Sequence, residues 1–221
     1  MARLWLGPFA FLVSCAAAFP DNSAKTDTFA AIAGATLLRP GSVAPHVSCD
    51  AGLQNSSGQA GTLANWTTLL NGGSGWAVVN FSFANPGFGT SFSTDSKYQE
   101  IDLVANGFSP GTLDTAPTVY FGERFLKRMD VTGINYYLKV EIRNAAHAAM
   151  QTYNSGMLNA VPGMGADVVY PLTSSFSGYG AGMRFIYVED GGYDTMSWAG
   201  QFGPYLHSAY VRLSNACGLP Y

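Results

Sequence analysis

The chain has 221 residues, 48% of them hydrophobic and only 11% charged, with 11 Lys+Arg against 14 Asp+Glu and a net charge of −3. This excludes a disordered chain, a long charged helix or coiled coil, and a polybasic nucleic-acid binder. Ser, Thr, Asn, Gln and Gly must supply the polar groups of the surface.

The first segment reads as a secretory signal peptide, residues 1–18. Arg3 gives one positive charge, Leu4 to Cys15 an apolar run, and Ala16-Ala17-Ala18 the small residues of a cleavage site after Ala18. The run is too short for a bilayer core of about 30 Å, and no other apolar stretch is long enough, so no membrane span is expected. A secreted or secretory-pathway location follows from this reading. Residues 19–36 are Ala- and Thr-rich without a clean period and read as an N-terminal arm. In an oxidising compartment Cys49 and Cys217 form a candidate disulfide. Asn55, Asn65 and Asn80 each open an N-glycosylation sequon, although a chain this rich in Asn, Ser and Thr carries sequons by chance.

From about residue 60 the periodicity is that of strands. Val79, Phe81 and Phe83 alternate with Asn80 and Ser82, which places Asn80 toward solvent. Gln99, Ile101 and Leu103 alternate with Tyr98, Glu100 and Asp102. Ile134 to Arg143 is the clearest strand, with Tyr136, Leu138, Val140 and Ile142 on one face. Residues 183–189 and 207–213 add two more, and residues 145–150 read as a helical turn. Asn71-Gly72-Gly73, Asn85-Pro86-Gly87, Pro162-Gly163 and Gly191-Gly192 read as breaks between strands. Many short strands with regular turn signals predict an all-β, antiparallel β-sandwich.

Catalysis finds no support. His46, His147 and His207 are scattered outside any metal-ligand spacing, and there is no G-x-S-x-G nucleophile elbow. Gly178-Tyr179-Gly180-Ala181-Gly182 lacks the strand–loop–helix setting of a phosphate loop and reads as a tight connection. No enzyme, cofactor or metal is expected.

One block is more specific. Phe176-Ser177-Gly178-Tyr179-Gly180-Ala181-Gly182-Met183-Arg184-Phe185, then Glu189-Asp190-Gly191-Gly192-Tyr193-Asp194-Thr195 and Met196-Ser197-Trp198-Ala199-Gly200-Gln201-Phe202-Gly203, resembles the C-terminal signature of the F-box-associated (FBA) domain. Ala64-Asn65-Trp66 with Asn71-Gly72-Gly73-Ser74-Gly75-Trp76 resembles its opening. Glu100-Ile101-Asp102-Leu103, Gly107-Phe108 and Leu113-Asp114 resemble its central strands. The similarity runs over residues 37–214, leaving 215–221 as a C-terminal tail.

The resemblance implies a jelly-roll sandwich of the galactose-binding-like kind. Some members are F-box proteins whose domain recognises the chitobiose core of high-mannose N-glycans and presents glycoproteins to a ubiquitin ligase; others bind no sugar or have no F-box. It also implies a glycan site. Sugar-binding members use a Tyr-Trp-Lys run and a Phe before the central strand; here these positions hold Ser197-Trp198-Ala199 and Phe92. Trp198, Phe92, Ser197 and Tyr193 are therefore the candidate ligand-binding residues, and a glycan or glycoprotein the expected partner. Glu189, Asp190 and Asp194 read as an acidic loop with a spacing that suits calcium, but members keep similar acids for turn geometry. The expected function is a secreted or luminal, non-catalytic carbohydrate-binding module. The alternative is an intracellular FBA-type module linked to a ubiquitin ligase or to ER quality control.

Overall fold

A computed structural model describes residues 50–80 and 86–214 of the chain. The expected signal peptide, arm, Cys49–Cys217 bridge and C-terminal tail lie outside the described residues, as do Phe81 and Phe83.

The described residues form eleven strands and one short helix, with alternation of apolar and polar residues marking longer strands such as 134–143 and 168–176. They are β1 (Thr67–Asn71), β2 (Ala77–Val79), β3 (Gly87–Gly89), β4 (Asp95–Asp102), α1 (Pro110–Leu113), β5 (Val119–Lys127), β6 (Ile134–Arg143), β7 (Ala149–Asn154), β8 (Leu158–Ala160), β9 (Val168–Phe176), β10 (Phe185–Asp194) and β11 (Tyr205–Leu213). Six of them form one antiparallel sheet in the order β1-β4-β10-β6-β7, with β8 also on β6; the other five form a second sheet in the order β2-β3-β11-β5-β9. The two sheets make the expected all-β jelly-roll sandwich.

One hydrophobic cluster lies between them, including Phe88, Phe121, Phe125 and Val211 from one sheet and Ile101, Ile134, Leu138, Val140 and Ile186 from the other. Burying one such side chain stabilises the fold by about 1.5–3 kcal/mol. The expected strand 134–143 is β6, whose Tyr136, Leu138, Val140 and Ile142 are all buried. Its other face carries a ladder of charges. Lys139 and Arg143 both pair with Glu141, Arg143 also with Glu100, and the Arg143 guanidinium stacks 3.9 Å from the Tyr187 ring.

Three expectations fail here for physical reasons. Gly191-Gly192 is no break: both residues lie within β10, which runs on to Asp194. They are glycine because neighbouring chains press on them. A Cβ at Gly191 would sit 2.2 Å from the Asp95 carbonyl oxygen, and one at Gly192 2.2 Å from that of Asn135. Glu189, Asp190 and Asp194 are consequently strand residues rather than an acidic loop. Residues 145–150 form no helical turn. Asn144 Oδ1 accepts from the amides of Ala146 and Ala148, His147 takes a φ of 58°, and the chain reverses into β7. Six residues are too few to nucleate a helix against such a turn.

The core also holds charge. Lys97 on β4 and Asp190 on β10 are direct cross-strand partners, both fully buried, with the ammonium 2.7 and 2.6 Å from the two carboxylate oxygens. The same ammonium stands 3.4 Å from the Trp66 ring centre and 4.5 Å from that of Phe88. Glu123 reaches this pair from β5 in the opposite sheet. Burial, then the neighbouring Asp190 charge, push its carboxyl well above the usual carboxylate range, which favours the neutral acid beside Asp190. Burial raises the Asp190 carboxyl too, against the opposing pull of Lys97.

Candidate functional site

At the end of the sandwich where β5 and β10 finish and β4 and β11 begin, three connections meet: residues 72–76, 90–94 and 195–204. Their backbone groups are tied together by short polar side chains. Asp95, fully buried at the start of β4, accepts from the Ser91 amide at 2.7 Å. The Ser91 hydroxyl accepts from the Ser74 amide at 2.7 Å, and the Ser74 hydroxyl from the Gly200 amide at 2.9 Å. The Asp194 amide donates to the Ser91 carbonyl at 3.0 Å. Burial pushes the Asp95 carboxyl up to about 6, against backbone hydrogen bonds from Ser91 and Gly72 that lower it.

Within this frame Trp198 is 43% exposed. Its loop is set by Asp194, whose Oδ1 accepts from the Met196 amide at 2.7 Å and from the Ser197 amide. Ser197 takes a left-handed φ of 58°, which turns the chain into Trp198. The indole meets Phe202 edge-on at 5.4 Å, and the Arg128 guanidinium covers the Phe202 ring at 5.0 Å. Arg128 in turn donates to the Tyr205 hydroxyl at 3.0 Å. The loop is thus held while its tryptophan stays open to solvent.

Phe92 is half-buried in the 90–94 connection, close over Gly73, where an added Cβ would lie 3.0 Å from two of its ring carbons. Phe92, Ser197 and Trp198 therefore sit on connections that share one hydrogen-bonded frame. Tyr193 does not join them on the core side of β10. It alternates with buried Gly192 and Asp194 and belongs to the outer face of the six-stranded sheet. Sequence reasoning missed Ser74, Ser91, Asp95 and Phe202, whose roles arise only when distant connections meet. For Asp194 the signal is its place three residues before Ser197, the spacing of a side-chain cap on a turn.

What the site can do follows from its groups. An exposed indole face offers dispersion contact to the C–H face of a pyranose, and the neighbouring hydroxyls and amides offer neutral hydrogen bonds. Both nearby carboxyls, Asp95 and Asp194, are engaged with backbone amides. No group of three His, Cys, Asp or Glu residues that could hold a metal occurs among the described residues. The three acids of β10 are used separately: Asp190 pairs with Lys97, Asp194 caps the loop, and Glu189 accepts from the Tyr137 and Tyr187 hydroxyls.

The sequon asparagines differ in setting. Asn55 spends both amide protons on the Thr62 and Ala64 carbonyls at 2.9 Å, whereas Asn65 and Asn80 are exposed.

Residues 53–213 match the family model described as the F-box associated region. The chain belongs to the F-box associated (FBA) family. This FBA domain is 31% identical over 160 residues to human F-box only protein 44, covering 67% of this chain and 62% of that protein. It is 32% identical over 164 residues to bovine F-box only protein 2, covering 68% and 54%. With mouse F-box only protein 27 the identity is 31% over 157 residues, covering 68% and 55%. The chain thus spans little more than half the length of these relatives. Among solved structures, the FBA domain is similar to a carbohydrate-binding module in complex with beta-1,4-galactotriose, with a TM-score of 0.44 and 13% identity over 76% of this chain and 100% of that one. A xylan-binding domain gives a TM-score of 0.43 and 10% identity over 72% and 93%.

The relatives correct the expected location. They are F-box only proteins, which work inside the cell, and this overturns the secreted or luminal reading drawn from residues 1–18.

Proposed function

We propose that the FBA domain is an intracellular, non-catalytic module that binds N-glycans or N-glycosylated protein at its loop end and serves a ubiquitin-ligase or ER quality-control assembly. The observation that carries the reading is Trp198: a large aromatic 43% exposed on a loop braced by Asp194, Ser74 and Phe202. A braced, open aromatic ring beside neutral donors suits a sugar ring. Asp95 and Asp194 each hold backbone amides of these connections through one carboxylate oxygen, which suits a bracing role. Family membership and the F-box only relatives support the same reading. In place of the Tyr and Lys of the sugar-binding members the loop has Ser197 and Ala199, so stacking on Trp198 carries most of the affinity. Each missing hydrogen bond costs about 1 kcal/mol, more for the charged one.

A glycan array probed with the full chain tests this. Signal on N-glycans exposing the chitobiose core, abolished by Trp198→Ala, is the expected result. An array that stays blank at high micromolar protein, or a signal that Trp198→Ala leaves intact, overturns it.

A further inference from the structure

The outer face of the five-stranded sheet holds a cavity of about 460 Å³ that has no part in the loop-end site. Strand alternation builds it. Phe121, Glu123 and Phe125 of β5 point into the core, so Gly122 and Arg124 point out; on β11 the outward residues are Tyr210 and Arg212. Register sets Tyr210 opposite Gly122, and Gly122 opposite Thr173 of β9. The Tyr210 ring lies over Gly122: a Cβ there would be 2.9 Å from Tyr210 Cε1. A bulge in β11 between His207 and Tyr210 shapes one wall. Ser208 takes a φ of 57°, its amide donates to the Ser57 hydroxyl at 2.8 Å, and the Ala209 amide donates to the Ser56 carbonyl at 3.2 Å.

Two guanidiniums belong to this cavity, and their state is unusual in this chain. Of the five arginines among the described residues, Arg128, Arg143 and Arg184 each pair with a carboxylate. Arg124 and Arg212 are exposed, have no such partner within 4.0 Å among the described residues, and both line the cavity. The Arg212 guanidinium stands 5.6 Å from the Tyr210 ring, and both arginines oppose the rise that burial gives the Tyr210 hydroxyl. The one acidic residue of the lining, Glu123, is 1% exposed and turns its carboxyl to Asp190. Two unpaired like charges held in one cavity of a chain with net charge −3 mark a demand for an anion. The remaining lining is hydroxyl-rich, with Ser57, Thr173 and Ser208 around an aromatic ring. The volume falls within the range for small-ligand sites.

We infer that this cavity is a second binding site, for a sugar bearing a phosphate or sulfate ester: Arg124 and Arg212 hold the ester oxyanion, and the hydroxyls and Tyr210 hold the ring. The inference does not depend on Trp198. The test is a titration of the ¹⁵N-labelled full chain, in buffer free of phosphate and sulfate, with a hexose 6-phosphate, the hexose 6-sulfate, the neutral hexose and inorganic phosphate. Expected are saturable shifts of the Gly122, Ser208 and Tyr210 amides with one or both hexose esters. Arg124→Gln/Arg212→Gln, with its remaining spectrum unchanged, weakens them at least tenfold; Trp198→Ala leaves them alone. Which ester binds more tightly identifies the anion. The inference is overturned if neither ester shifts these amides or if the double variant binds as well as the native chain. It is equally overturned if neutral hexose or inorganic phosphate alone reproduces the full response.

Discussion

Ala199 is the position where the loop chemistry is poorest. It is exposed, next to Trp198, and stands where the family's sugar-binding pattern has a lysine. A lysine there adds a charge-assisted donor worth about 1.5–3 kcal/mol, or roughly tenfold in affinity or more. Ala199→Lys is therefore expected to tighten chitobiose binding about tenfold in calorimetry while leaving the melting temperature nearly unchanged. Unaltered affinity would show that the ligand does not reach this side of Trp198. At this scale the sequence told part of the story. Trp198, Ser197 and Phe92 come from the family resemblance as candidates, and a motif records residue types and their order along the chain. It does not record facing, and so Tyr193 was grouped with them although strand alternation sends it to the outer surface. Arg124, Tyr210 and Arg212 gave no signal, since only the pairing of β5 with β11 makes them neighbours.

Among the elements, the connections at the loop end depend on Asp95. Its carboxyl, raised from the usual 3.8 to about 6 by burial, holds a proton in the folded chain that the unfolded chain releases. Between those values the folded state binds more protons, so the contribution of this group to stability falls as pH rises. It is full below about pH 4 and lost as pH passes about 6. Asp95→Asn keeps an oxygen for the Ser91 amide and cannot ionise. Thermal unfolding of both proteins across pH 4–7 is expected to show the native chain losing stability relative to the variant as pH rises. Parallel curves would mean that Asp95 is not buried as described. Strands were legible wherever one face is apolar, as in β6. The error at Gly191-Gly192 has a general cause: glycine signals a turn or a close backbone approach, and only the neighbouring strands show which.

For the whole molecule, the two sheets are joined through Lys97, Asp190 and Glu123 as well as through apolar packing. Alternation in β4 puts Lys97 in phase with Gln99 and Ile101 on the inward face, but nothing in the sequence shows what would meet its charge there. Its Asp190 partner and the rings of Trp66 and Phe88 come from distant segments. Lys97→Met leaves the Asp190 carboxylate buried and unpaired, at an expected cost of about 3–5 kcal/mol in denaturant unfolding. Glu123→Gln preserves a neutral donor to Asp190 and is expected to cost under about 1 kcal/mol. Equal losses in the two variants would show that Glu123 is ionised and shares the lysine.

Chitobiose recognition at the loop end can be read from the indole N–H resonance of Trp198 as the full chain is titrated with a glycopeptide carrying that core. A saturable shift of that resonance is expected, with the indoles of Trp66 and Trp76, which donate to the Asn55 and Leu70 carbonyls, staying in place. A glycopeptide that leaves the Trp198 resonance unmoved at saturating concentration would contradict it.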